Sequence, residues 1–380
     1  MLTARERINL AMDLQKPDRV PLMCQFSIGS MFQQLKPDPV EFWYDQNIFA
    51  NGLITLCRKF RFDGILVSLH GHSAKWKDGL LKREVLDEEN IRLTFENRTE
   101  LHSLNDLPFI TFKNNKPTPD ISEIDIDKDI PGIIDYIPVS NNLHFNLDRD
   151  HLFDIFDIIY NKTGDEYSIH GEITSPFDYY LDLMGYENGL ISLIMAPERT
   201  KAILGKFADG ITDIAVRMCD KQIDAIKVSS PFTGMGFISK EHYREFVLPF
   251  EKRIITAIRQ KGKHAYTHTC GSIGDRLELM SESNTSGLEC LDPPPIGNVD
   301  LEDAFRRIGD RLFIKGNIDS VNSLLYADDL KARNDVKKII ETGMTKGKGF
   351  ILSTACSIAP KVTEERLLML SELVDEFGIY

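Results

Sequence analysis

The chain has 380 residues, 42% hydrophobic and 27% charged, an ordinary globular composition with length for one large domain or two to three smaller ones. Its formal net charge of −13 argues against a nucleic-acid partner, because phosphate backbones are held by clustered Lys and Arg; it does not exclude a small anion held by one or two local cations. No run approaches the roughly 20 apolar residues of a membrane helix, and "MLTARERINLAMDLQKPDRV" mixes charges through its apolar positions, unlike a secretory leader, so a cytoplasmic location is expected.

The first element predicted is a helix. Thr3 and Glu6 have capping-box spacing, and Ile8, Ala11 and Met12 supply its apolar stripe. Pro17 ends it, and "VPLMCQF" follows as a short buried strand. "FDGILVSLHGH" (62–72) and "YSIHGEITSPF" (167–177) are further apolar strands ending in polar residues. A helix from about 198 to 223 is expected from Ile203, Leu204, Phe207, Ile211, Ile214, Ala215 and Met218. The strand "IDAIKVSSP" comes next, then a helix capped by Ser239 and bent near Pro249.

The alternation continues with "KHAYTHTCG", the helix "IGDRLELMSES", the strand "SGLECLDPPP" and a helix capped by Asp300. "RLFIKGNID" precedes helices from about Asp328. "GFILSTACSIAP" is the last strand, and Thr363 opens a final helix that Gly378 can stop. The predicted strands lie near 20–26, 62–70, 167–173, 224–229, 264–269, 287–291, 311–317 and 349–355.

One gap, from about 72 to 166, is too long for a simple connection. In it "REVLDEENIRLTFEN" reads as a hairpin turning at "DEEN". The acidic "PDISEIDIDKDIPG" reads as surface loop, and a β/α unit is expected around 133–160. The whole pattern fits a single α/β domain over residues 1–380, a (β/α)₈ TIM barrel with a hairpin-containing cap inserted after the second strand, at about 72–150. A doubly wound open sheet is the alternative, but no GxGxxG or GxxxxGK[ST] supports a nucleotide loop.

Barrel chemistry sits at the C-terminal ends of the strands. On this reading those ends carry Gln25, His70 with His72, Glu172, Ser229 with Ser230, His268 with Cys270, Asp292, Asn317 and Cys356. His268, Cys270 and Cys356 form the kind of three-ligand set that a catalytic zinc uses while keeping one position open. From spacing alone the bland alternative stands beside it: His268 as a hydrogen-bonded core histidine, Cys270 and Cys356 as small apolar fillers. The six cysteines are too scattered for a disulfide framework, and Cys24, Cys57, Cys219 and Cys290 are assigned to packing.

At "HTCG", "IKGNID" and "ILSTACSIAP" the chain resembles the cobalamin-dependent (corrinoid) methyltransferase branch of the uroporphyrinogen decarboxylase superfamily. "PDRVP" near the start and "GFISKEHYREFVLPFEKRI" are similar to it as well, and the likeness is weakest from 72 to 165. The resemblance implies a (β/α)₈ barrel with zinc on an HxC pair and a later Cys, matching His268, Cys270 and Cys356. Many members have glycine before that last Cys; here Ala355 precedes it. The decarboxylase branch carries an arginine-bearing "MRQAGR" on its first strand, where this chain has "MCQFSI", and an aspartate on its second, where His70 falls. A porphyrinogen with eight carboxylates would be poorly held in an acidic protein without those arginines.

The resemblance further implies a corrinoid carried by a separate partner protein. Zinc would serve a thiol acceptor by making it a thiolate, or a methyl ether by acting as a Lewis acid on the departing oxygen. The long segment after "FDGILVSL" is similar to the ether-demethylating members, so a methyl ether such as a methoxylated aromatic is the expected donor. Trp76, Phe177, Tyr179 and Tyr180 are candidates to line its pocket, with Gln25, His72, Ser230 and Asn317 as further substrate contacts. Glu172 and His70 are the catalytic candidates, Glu172 as a proton-handling group or a fourth zinc ligand. The alternatives are a coenzyme M-like thiol methyltransferase, a uroporphyrinogen decarboxylase and a non-catalytic zinc-binding member. A homodimer is compatible with each.

Overall fold

The computed structural model describes residues 2–114, 118–140 and 143–380. Its strands are β1 (Gly64–Val67), β2 (Leu80–Val85), β3 (Asn90–Phe95), β4 (Arg98–Ser103), β5 (Asp106–Phe112), β6 (Tyr136–Ser140), β7 (Leu143–Asn146), β8 (Ser168–Thr174), β9 (Ala225–Ser229), β10 (His264–Thr269), β11 (Gly287–Cys290), β12 (Phe313–Ile318) and β13 (Phe350–Thr354). The order β1-β8-β9-β10-β11-β12-β13 makes a parallel sheet. Strands buried on both faces read as near-continuous apolar runs, which is why these segments stand out in the sequence.

The eighth stave is the extended segment around 21–26. Leu22 bridges Leu352 of β13 in parallel, Met23 N–H donates to Leu352 O at 2.9 Å, and Asp63 N–H donates to Leu22 O at 2.7 Å. The segment thus touches β13 on one side and the start of β1 on the other, closing the (β/α)₈ barrel. "PDRVP" has a structural job at this seam. The buried Asp63 carboxylate accepts from Leu22 N–H at 2.8 Å, Arg19 at 2.9 Å and Arg7 at 2.7 Å, while Arg7 also meets Asp18. The first helix, Ala4–Met12, has the expected capping box. Its Ile8, Ala11 and Met12 pack with Met23, Tyr266 and Phe313 from the staves.

The helices follow the predicted pattern closely. Pro197–Met218 buries the stripe read from the sequence. The helix expected to bend near Pro249 is broken into Lys240–Phe246 and Leu248–Gln260, because the proline removes a backbone donor. Among the described residues no helix is long and apolar enough to cross a membrane.

The insertion departs from expectation in three ways. The predicted hairpin is β2–β3, but β4 and β5 extend it to a four-stranded antiparallel sheet. The β/α unit expected around 133–160 does not form as such. β6 and β7 pair only with each other as an antiparallel hairpin, and helix Asp154–Thr163 serves as the outer helix following β1. The acidic segment is irregular as predicted, yet Ile124 and Ile130 are buried in the main core. Arg199 anchors it by donating to the carbonyls of Ile121 and Ile124, so its isoleucines, not its charges, decide its position.

Candidate metal centre

Residues that share a register across adjacent parallel staves point to the same side. His268 pairs with Glu289, Lys227 with Glu172, and Glu289 with Lys315. Inside the barrel these side chains meet in one buried polar network. His268 Nδ1 lies 2.9 Å from Glu289 Oε2. Glu289 also takes Lys315, which donates on to Ser353 Oγ at 3.3 Å. Lys227 Nζ sits 3.0 Å from Glu172 Oε1 and 3.5 Å from Glu289 Oε2, and donates to Gln25 Oε1 at 2.5 Å.

Glu289 fixes one imidazole nitrogen and leaves the other, Nε2, facing the thiols. Nε2 is 3.2 Å from Cys270 Sγ, and Cys356 Sγ is 3.7 Å from Cys270 Sγ. The sequence trio is therefore brought together across the barrel mouth. Cys290, assigned to packing from the sequence, also belongs to this neighbourhood: ligand atoms of His268, Cys270 and Cys290 lie within 4.8 Å of one another. Cys290 ends β11 with φ +86° and donates to Asp292 Oδ2 at 3.2 Å. It is fully buried, whereas Cys270 and Cys356 are partly exposed.

An imidazole whose distal nitrogen is held by a carboxylate, beside convergent thiols, is a donor set suited to zinc. Zinc would have to displace the protons that this site holds without it. Burial is the largest influence on His268 and opposes its charge, but Cys270 and Cys356 together hold the imidazole well above its usual value. Burial works against the Glu289 carboxylate, yet Lys315 and Lys227 keep it well below the usual range. The hydrogen bond with Cys270, then burial, push the Cys356 thiol up, and burial pushes Cys290 up to about 12. These thiols would therefore lose their protons only with a cation's help. The backbone is shaped to bring a loop against this centre: a Cβ on Gly234 would lie 2.7 Å from the Cys270 carbonyl oxygen, so the loop after β9 packs on the Cys270 backbone only as glycine.

Two neighbouring cavities open at the barrel mouth. One, of about 470 Å³, is lined by Cys270, Cys356, Asp292 and apolar or small residues including Phe237, Ile296 and Val321. The other, of about 330 Å³, runs over the barrel mouth beneath the insertion, whose Leu107 and Ile137 contribute to its wall. Pro231 and Ser357 line both.

Gln25 and Glu172 line the second cavity as expected. Glu172 Oε2 is buried without a hydrogen-bond partner. The remaining candidates lie elsewhere, each for a visible reason. His70 is buried with Nδ1 on Leu152 O at 3.1 Å, and burial lowers it to about 4. His72 packs between Phe49 and Phe145; burial lowers it to about 3. Trp76 stacks on Tyr44 at 4.6 Å. Phe177, Tyr179 and Tyr180 face the core, Tyr179 donating to Tyr136 O. The helix Pro176–Met184 instead turns Asp178, Leu181 and Asp182 to the cavity. Ser230 is buried and donates to Glu251, leaving Ser229 on the cavity wall. Asn317 donates to Leu291 O at 3.0 Å and braces the rim. Sequence reasoning missed Lys227, Glu289 and Lys315. Their signal is a lone charge inside an apolar strand, in "AIKVS", "GLEC" and "FIKGNI".

Fold and mouth together define a (β/α)₈ barrel with an imidazole–thiol centre at the C-terminal ends of its staves. The family model described as Uroporphyrinogen decarboxylase (URO-D) matches residues 129–377, and the chain belongs to that family. Both kinds of relative occur. The methylcobamide:CoM methyltransferase MtbA of Methanosarcina acetivorans is 24% identical over 54% of this chain and 60% of its own length. The MtbA of Methanosarcina mazei is 22% identical over 95% of this chain and 97% of its own. The uroporphyrinogen decarboxylase of Pelodictyon phaeoclathratiforme is 27% identical over 47% of this chain and 50% of its own. The chain thus spans only 60% of the Methanosarcina acetivorans MtbA and 50% of the Pelodictyon decarboxylase. A solved methyltransferase from Methanosarcina mazei superposes over 99% of both chains with a TM-score of 0.74 at 17% identity, which establishes the shared fold.

Proposed function

We propose that this protein is a zinc-dependent methyltransferase that moves a methyl group between a small molecule and the cobalt of a separate corrinoid protein. The observation that carries this reading is the convergence of His268, Cys270 and Cys356, with both thiols on the wall of a cavity that shares Pro231 and Ser357 with a second one. A zinc ion held by those three residues would act as a Lewis acid on an atom of the bound small molecule.

Demethylation of a methyl ether is the direction we infer. The cavity of about 330 Å³ takes the donor, and the apolar one beside the thiols faces the corrinoid. In the transfer the methyl C–O bond breaks, Co(I) supplies the electron pair of the new carbon–cobalt bond, and the freed oxygen takes up a proton. Glu172 is the candidate to relay that proton, because it lines the donor cavity and its Oε2 has no hydrogen-bond partner while Lys227 fixes Oε1. Glu289 orients His268 and keeps Nε2 toward the thiols. The apolar walls keep water from the reacting atoms.

The cavity chemistry disfavours two alternatives. Among the described residues no Lys or Arg lines the donor cavity, and a sulfonated thiol or a polycarboxylate porphyrinogen needs such groups. The reading is tested by following the absorbance of cobalamin. Zinc-loaded protein, a corrinoid protein and a methoxylated aromatic should convert Co(I) to methylcobalt. Absence of that conversion across a panel of methyl ethers, with methyl transfer from methylcobalamin to a thiol instead, would reverse the direction.

A further inference from the structure

The donor cavity is acidic on one wall. Asp178 and Asp182 project from the same face of helix Pro176–Met184, at i and i+4, and both line it. Residues at that spacing are neighbours one helical turn apart. Asp178 accepts from its own helix cap, Ser175, and Asp182 meets His144 at 2.8 Å. Among the described residues neither carboxylate meets a Lys or Arg. Asp106 adds a third acid to the lining.

Glu172 gives a second and independent observation. It is 9% exposed, lines the same cavity, and its Oε2 is buried with no partner. Lys227 accounts for its other oxygen only. A buried polar atom left unpaired in a cavity wall is costly unless a ligand completes it. Aromatic faces accompany the acids. Tyr186 and Phe232, packed edge to face with centroids 5.0 Å apart, both line the cavity. Both rings share that cavity wall with Asp178 and Asp182.

We propose that the methyl donor carries a cationic nitrogen, which Asp178, Asp182 and the rings of Tyr186 and Phe232 hold within the donor cavity. Carboxylates supply the charge complement and aromatic faces add cation–π attraction. This rests on reading the cavity as the donor site, and it narrows the donor from methoxylated aromatics in general to those bearing an amine.

The test is calorimetric binding of three probes of equal length to the purified zinc-loaded chain: methoxyphenethylamine, its neutral isostere propylanisole, and the anionic methoxyphenylacetate. The amine should bind at least ~10-fold tighter than the neutral probe, and the anion weakest. Asp182→Asn should lower amine affinity roughly 3- to 10-fold and leave the neutral probe unchanged. Equal binding of amine and neutral probe, tighter binding of the anion, binding of none of them, or an equal loss for amine and neutral probe in the variant would each overturn the inference. The measurement needs no corrinoid. A chain that prefers the amine yet never transfers a methyl group separates failure of the methyltransferase reading from failure of this one.

Discussion

Glu289 Oε2 lies 2.9 Å from His268 Nδ1 and thereby sets which imidazole nitrogen faces the thiols. Both residues are buried, and Glu289 is itself held by Lys315 and Lys227. Glu289→Gln keeps the size but gives up the negative charge that orients and polarises the ring. Zinc affinity, measured by competition with a chelator, should fall roughly 10- to 100-fold, the usual cost of losing such a support. The variant should also be less stable to denaturant, because Lys315 is left buried beside a neutral group. Unchanged zinc affinity would mean that His268 is not a ligand or does not depend on Glu289.

Cys356 and Cys290 are the two candidates for the third ligand of the proposed zinc site. Cys356 is partly exposed and lines the open cavity, whereas Cys290 is sealed in and donates to Asp292. We expect about one zinc per chain, lost for the most part in Cys356→Ala and kept in Cys290→Ala. Cobalt substitution gives a second readout, since thiolate charge-transfer absorbance should drop in the first variant alone. The opposite pattern would install Cys290 in Cys356's place.

The fold was legible in the sequence because each stave is a short apolar run, the outer helices carry apolar stripes and several of them open on a side-chain cap. Thr3, Ser239, Asp300 and Thr363 all cap the helices they were expected to open. The HxC pair was legible for a local reason: two side chains two residues apart at a strand end. The cavity wall was not. Which side of helix Pro176–Met184 faces the cavity is decided by how the helix packs after β8, so aromatic residues were chosen where Asp178 and Asp182 stand. His70 and His72 look like mouth residues until the insertion folds over them and buries both against Leu152, Phe145 and Phe153. Long-range packing of an inserted segment has no signature in the strand it follows.

Asp178 gives a pH prediction for the ligand-free chain; a bound cation would favour its ionised form. Burial raises its carboxyl from 3.8 to about 8, so between those values the native state holds a proton that the unfolded chain has released. Stability must then fall as pH rises through that window and level off above about 8. Asp178→Asn removes the titration. The difference in unfolding free energy, variant minus wild type, should therefore grow in the variant's favour from pH 4 toward pH 8, by up to ~1.4 kcal/mol per pH unit crossed. Paired denaturant titrations at four or five pH values measure it. A difference that stays flat across the window would show that the carboxyl is not an isolated buried acid.

The direction of methyl transfer turns on Glu172. An ether oxygen is a poor leaving group at neutral pH and needs a proton as it departs, whereas a thiol acceptor needs only to lose one. Glu172→Gln keeps size and hydrogen bonding but cannot deliver a proton. The change should spare the fold, because Lys227 Nζ still has Glu289 Oε2 at 3.5 Å and Gln25 Oε1 at 2.5 Å. Zinc should remain, since Glu172 does not touch the His268–Cys270–Cys356 set. Demethylation of a methoxylated aromatic should fall by ~10²-fold or more, the usual scale for losing a general acid, with the loss in kcat more than in KM. A donor with a better leaving group, such as a methoxy ring bearing an electron-withdrawing substituent, should recover much of the rate. Equal losses for good and poor leaving groups would remove Glu172 as the proton donor. Wild-type protein that methylates a thiol from methylcobalamin while ignoring every methoxylated aromatic would defeat ether demethylation whatever the variant does.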